Sequence, residues 1–185
     1  MRKIIILALV LVTSLGWSQT KTTKNTKPAA KPAKATPAAT NEWDDLDKTF
    51  VALVESLQKN DLAAFKAISL PGVDCIACVR EHQRTGDYNF VLADVFFETV
   101  APSFNVSPVY KAMVQRGYTF STMTLEDYKP MTVPRDYPKD LKLYEVWVPT
   151  YLANELSKGH PGSSNGFQFI KTNGKFKFYG LVAIP

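Results

Sequence analysis

Asn173-Gly174 stands between two runs rich in alternating phenylalanines, Gly166-Phe167-Gln168-Phe169-Ile170-Lys171 and Lys175-Phe176-Lys177-Phe178-Tyr179-Gly180. Asn-Gly supplies the two positive-φ residues that a type I′ turn requires, and the twist of that turn matches the strands it joins. The stretch therefore predicts a β-hairpin. A two-residue loop sets Thr172 opposite Lys175, Phe169 opposite Phe178 and Phe167 opposite Gly180. Because side chains alternate faces along a strand, Phe167, Phe169, Phe176 and Phe178 share one side, continued by Val182 and Ile184, and that side must be buried. The opposite side carries Gln168, Lys175, Lys177 and Tyr179, so the hairpin belongs to a sheet with one covered face and one wetter one.

The start of the chain has a different character. Arg2-Lys3, the apolar run Ile4 to Leu15 and the small-residue site around Gly16-Trp17-Ser18 have the order of a secretory signal over residues 1–18. The run has twelve residues where a permanent membrane span needs about twenty. No cysteine follows the cleavage site to carry a lipid, so the expectation is a soluble exported protein, periplasmic or secreted. Residues 19–41 are rich in Lys, Thr, Pro and Ala, with prolines at 28, 32 and 37. Such a composition cannot bury enough apolar surface to offset its ordering entropy, and the segment reads as a disordered tether. Seven of the 22 Lys and Arg residues precede Asn41, which leaves 15 facing all 17 acidic residues. The folded part is thus slightly acidic, and a nucleic-acid partner, which calls for a basic patch on the folded part, is not expected.

Residues 42–185 are long enough for a single domain with a sizeable core. Leu46, Phe50, Leu53, Val54 and Leu57 recur at helical spacing, with Glu42, Asp44, Asp45 and Asp47 in or just before the first turn, where the helix dipole favours them. Asp61 caps a shorter helix carrying Leu62, Phe65 and Ile68, which Pro71-Gly72 stops. Val73 to Gln83 reads as a further short helix. Tyr88 to Val100, ending at Pro102, fits a helix packed on more than one side, and its β-branched and aromatic content also suits a strand. Ser107-Pro108 opens a helix that Gly117 closes. Period-two strands follow at Tyr118 to Leu125 and Leu141 to Val148, with Pro130, Pro134 and Pro138 in the loop between them. Helices first and strands second predict an α+β fold in which N-terminal helices pack on a curved antiparallel sheet.

Leu57-Gln58-Lys59-Asn60-Asp61-Leu62-Ala63-Ala64-Phe65, within Phe50 to Ile68, resembles the opening helix pair of the nuclear-transport-factor-two-like (SnoaL-like, cystatin-like) superfamily. Phe167 to Gly180, with Asn-Gly-Lys-Phe-Lys-Phe, is similar to its last hairpin. The resemblance, to an exported bacterial-type member, implies a cone-like domain enclosing a pocket. It also implies relatives that are isomerases, cyclases and dehydratases alongside non-catalytic binding and dimerising modules. No catalytic residue carries over, because no carboxylate, His or Tyr set aligns residue by residue.

Tyr118, Phe120, Tyr144, Trp147 and Tyr179 lie on expected strands and are candidates for lining a ligand pocket, against the alternative of ordinary core. Glu145, the sole carboxylate in an apolar strand, joins them as a weak catalytic candidate. If it points inward with Trp147, burial would suit it to act as acid, base or ligand anchor. Cys75 and Cys78 are the only cysteines, and in an oxidising compartment a local disulfide is the favoured reading. His82 extends them to Cys75-x-x-Cys78-x-x-x-His82, a weak metal or redox motif that only His160, Asp74 or Glu81 could complete. No cofactor is implied, and Val79 stands where haem attachment needs His. The leading expectation is a non-catalytic module binding a small apolar ligand or a protein partner, with pairing of two copies through the sheet in reach. The alternative is an isomerase, cyclase or dehydratase using a pocket carboxylate and a tyrosine.

Overall fold

The structure is a computed structural model describing residues 41–79 and 89–184; the expected signal, the expected tether except Asn41, Glu81 and His82 lie outside the described residues. Helix α1 spans Glu42–Gln58. It starts where the Trp43 N–H donates to the Asn41 side chain at 3.3 Å, and Glu42, Asp44 and Asp45 sit in its first turn. Its stripe of Leu46, Phe50, Leu53 and Leu57 is buried at three- and four-residue spacing. Helix α2, Leu62–Ile68, is capped by Asp61, which accepts from the Ala64 N–H at 2.9 Å. Its Phe65 stacks on Phe96 at 5.5 Å and also meets Phe97 and Phe178. Each fully buried phenylalanine contributes about 1.5–3 kcal/mol.

Strand β1, Ser69–Asp74, follows α2 directly and corrects the helix expected from Val73. The segment pairs with other strands, so its Pro71-Gly72 lies inside an extended segment and not in a turn. A single 3₁₀ turn, Ile76–Cys78, comes after it. The ambiguous stretch from Tyr88 divides, with strand β2 at Phe90–Leu92 and helix α3 at Ala93–Phe104. Helix α4, Pro108–Arg116, has its N-terminus capped by Ser107, proline at the first helical position and Gly117 at φ 76° after its last turn. Strands β3 (Thr119–Leu125), β4 (Leu141–Tyr151), β5 (Ser163–Thr172) and β6 (Lys175–Ile184) complete an α+β fold.

The six strands form one sheet in the order β2-β1-β6-β5-β4-β3. It is mixed, which corrects the purely antiparallel expectation: β1 runs parallel to β6, and the other neighbours are antiparallel. The helices cover one face, where Phe50, Phe96, Phe104, Phe167, Phe169 and Phe178 are sealed from solvent. The 126–140 loop covers part of the other face through Val133, packed with Leu70, Leu141, Leu143, Ile170 and Tyr179.

The hairpin turns at Asn173 and Gly174 with φ of 49° and 75°, and Thr172 faces Lys175 and Phe169 faces Phe178. Beyond that point the expected register breaks. Tyr179 and Gly180 together oppose Gln168, so Phe167 faces Leu181 and not Gly180. This bulge reverses the parity of the strand's end. Leu181 joins the phenylalanines in place of Val182 and Ile184, and Ile184 is 48% exposed. Gly180 is required here, because a Cβ would lie 2.6 Å from the Asp74 carbonyl oxygen on β1.

Candidate functional site

Alternation along β4 sends Tyr144 to the helix-covered face and Glu145 and Trp147 to the other. The six pocket candidates therefore do not converge. On the helix side, the Tyr144 hydroxyl donates to Glu42 at 3.1 Å and the Tyr118 hydroxyl to Asp47 at 2.6 Å. Phe120 stands there against Trp43 at 5.8 Å. Tyr179 lies on the other face, buried against Phe90 at 5.7 Å. Burial and the Asp47 carboxylate push the Tyr118 hydroxyl up to about 12, and burial raises Tyr179 further from the ordinary tyrosine range.

What gathers around Glu145 instead is a set of hydrogen-bond donors from three strands. Cross-strand pairing sets Ser121 of β3, Glu145 of β4 and Gln168 of β5 in one row, with Gly180 of β6 and Asp74 of β1 continuing it. Gln168 donates to Glu145 Oε1 at 3.0 Å, while Ser121 and the Trp147 indole donate to Oε2 at 2.9 and 3.1 Å. Glu145 is only 6% exposed and Gln168 5%. A buried carboxylate is tolerable when charge-assisted hydrogen bonds replace its water, each worth about 1.5–3 kcal/mol. None of the ion pairs among the described residues includes Glu145. The hydroxyls of Tyr118 and Tyr144 do not reach it, since they bond carboxylates on α1 across the sheet. The arrangement holds one carboxylate in a fixed position and fixes Trp147 beside it.

Of this cluster, the alternation of β4 points to Glu145 and Trp147. Ser121 and Gln168 escape sequence reasoning, because their arrival depends on register between strands. A signal was present in Gly166, a glycine inside a strand, which marks close approach. A Cβ there would lie 2.7 Å from Trp147 Cη2 and Cζ3.

Cys75 and Cys78 are joined by a disulfide, with their Cα atoms 5.3 Å apart, and both lie in the core at 2% and 6% exposure. Joined sulfurs offer no thiolate to a metal, which removes two ligands from the Cys-Cys-His set in this redox state. His82 and Glu81 are outside the described residues, and His160 sits in a loop accepting from the Gly162 N–H at 3.0 Å. No group of three His, Cys, Asp or Glu suited to a metal occurs among the described residues. Burial raises the Asp74 carboxyl above its ordinary range.

Four surface clefts have volumes of about 130 to 480 Å³. None of the four is lined by any of the six pocket candidates. The largest lies between α4 and the end of β4, where Arg116 bonds the carbonyls of Pro149 and Thr150 and the Glu155 carboxylate. No helix among the described residues is long and apolar enough to cross a membrane. The sequence matches no known family model and no curated protein.

Proposed function

We propose that this chain is an exported, non-catalytic protein-interaction module, using the second face of its sheet around Trp147 as the contact surface. The observation that carries this reading is the filling of the helix-covered face. Phe50, Phe167, Phe169 and Phe178, each 1% exposed or less, fill the interior where the resemblance would place an enclosed pocket. On the other face, Trp147 and Val182 are only half-buried and flank Gly166, beyond the area covered by the 126–140 loop. Aromatic side chains held rigid by their own chain suit partner binding, because little conformational freedom is left to lose on contact. The Glu145 network supplies that rigidity. The order of basic, apolar and small residues over 2–18 supports export. The resemblance to the nuclear-transport-factor-two-like superfamily is compatible with its non-catalytic members.

The test is a photo-crosslinking amino acid at Val182, compared with one at Lys111 on α4, in the full chain expressed in an exporting cell. One protein adduct formed at Val182 and absent at Lys111, and lost with Trp147→Ala, is expected. A small molecule retained at unit stoichiometry in native mass spectrometry, or a turnover abolished by Glu145→Gln, would overturn the reading.

A further inference from the structure

Strand β3 is the last in the sheet order, and all seven of its residues, Thr119 to Leu125, pair with β4 in an unbroken antiparallel register. In such a ladder alternate residues direct their backbone N–H and C=O groups away from the partner strand. On β3 those groups form an outer edge without a neighbouring strand among the described residues. Natural sheets blunt edges of this kind with lysine, proline, bulges or very short strands. The opposite edge strand, β2, has three residues. β3 uses none of these devices: Thr119-Phe120-Ser121-Thr122-Met123-Thr124-Leu125 has no charge, proline or glycine, and five of its seven residues are exposed. Beside it on the helix side stand Trp43 and Phe120, each 36% exposed, and Met123 is 40% exposed.

We propose that β3 is a strand-addition surface and that its occupant is β3 of a second copy of this chain. The pairing is antiparallel about a two-fold axis at Thr122. That axis sets Phe120 opposite Thr124 of the second copy and Ser121 opposite its Met123, so each side chain meets one from the same face of the joined sheet. Glu126 comes opposite Tyr118 of the second copy, and no like charges meet across the pairing. The aromatic pair of Trp43 and Phe120 gains cover at the same time. The tether is a poorer occupant, because its prolines at 28, 32 and 37 lack N–H groups and its remaining run Thr20 to Lys27 brings three lysines to an uncharged edge. This edge adjoins the face around Trp147, since Ser121 of β3 bonds Glu145 and Thr119 pairs with Trp147, but the edge pairing is tested at Thr122 and Thr124 and the face at Val182.

Sedimentation velocity of the full exported chain over a concentration series is expected to show a monomer–dimer equilibrium. Trp43 fluorescence should shift to the blue as dimer forms. Thr122→Lys, at an exposed position on the axis, should raise the dimer dissociation constant at least tenfold, with a thermal midpoint unchanged at concentrations where both chains are monomeric. Thr124→Lys gives a second reading should the first variant fold poorly. A wild-type chain that stays monomeric, even with β3 amides protected from exchange by the tether, would overturn the proposal. So would a dimer that survives both lysine variants and is broken by Val182→Lys.

Discussion

The indole of Trp147 fills the space that a side chain at Gly166 would need: a Cβ built there would lie 2.7 Å from Cη2 and Cζ3. Gly166→Ala should therefore displace the ring and weaken its hydrogen bond to Glu145. A cost of about 1–3 kcal/mol is expected, as for other overpacked sites. Chemical denaturation measures it, and a red shift of Trp147 emission in a Trp43→Phe background reports the displacement. An unchanged spectrum would mean that the indole is not held against the strand.

Glu145→Ala leaves the Gln168 amide and the Ser121 hydroxyl without their shared acceptor, while the Trp147 N–H keeps its second acceptor, Ser121 Oγ, at 3.1 Å. Unsatisfied buried groups are expensive, and a loss of roughly 2–3 kcal/mol in unfolding free energy is expected. Glu145→Gln keeps one acceptor oxygen and should lose about half as much. Equal losses in the two variants would show that the charge, and not the bonding, matters.

Asp74 gives stability a pH dependence opposite to that of a salt-bridged carboxylate. Burial raises its folded pKa above the ordinary 3.8, so the native state holds the proton more tightly than the unfolded chain does. Stability then falls as pH rises from the unfolded value through the folded one, and the ionised group is a net cost at neutral pH. Asp74→Asn should raise the melting temperature at pH 7 and lose that advantage at pH 3. Glu42 behaves in the reverse sense: its hydrogen bond from Lys171 lowers its pKa, so its contribution is present above the unfolded value and fades as pH drops.

Intact mass and thiol labelling of the chain purified without reductant should find no reactive thiol before reduction and two after it. Replacing both cysteines by alanine should cost only about 2 kcal/mol in the chain-entropy account, because the closed loop is so short. A double variant that fails to fold would show that the buried sulfurs support packing beyond the cross-link.

Much of this architecture was legible because its signals are local. Asn173-Gly174, Asp61, Ser107-Pro108 and Gly117 each fix a turn or cap through their own backbone preferences, and those boundaries appear in the structure. Strand β1 was not legible. Pro71-Gly72 carries the strongest local turn signal of its region, yet pairing with β2 and β6 keeps the segment extended. The bulge at Tyr179-Gly180 was equally hidden, since the reason for it is the close approach of Asp74 from a distant part of the chain. The site divides in the same way. Alternation places Glu145 and Trp147 on one face, whereas Ser121 and Gln168 reach them only through inter-strand register, and no short turn fixes that register between β3 and β4.

The parallel pairing of β1 with β6 sets a folding schedule. Helices α1 and α2 and strand β1 leave the ribosome long before β6, the last strand they must pack on. Phe65 waits for Phe178, and Ser69 for the same residue as its strand partner. A nascent chain that has reached only Thr172 already holds Phe167 and Phe169 for Phe50, and Phe96 and Phe97 for Phe65, but still lacks Phe178 and the strand on which β1 pairs. Contacts of such long sequence separation close late and slowly. The sheet thus gains its β1–β6 seam, and the core its Phe178, only when the last strand arrives.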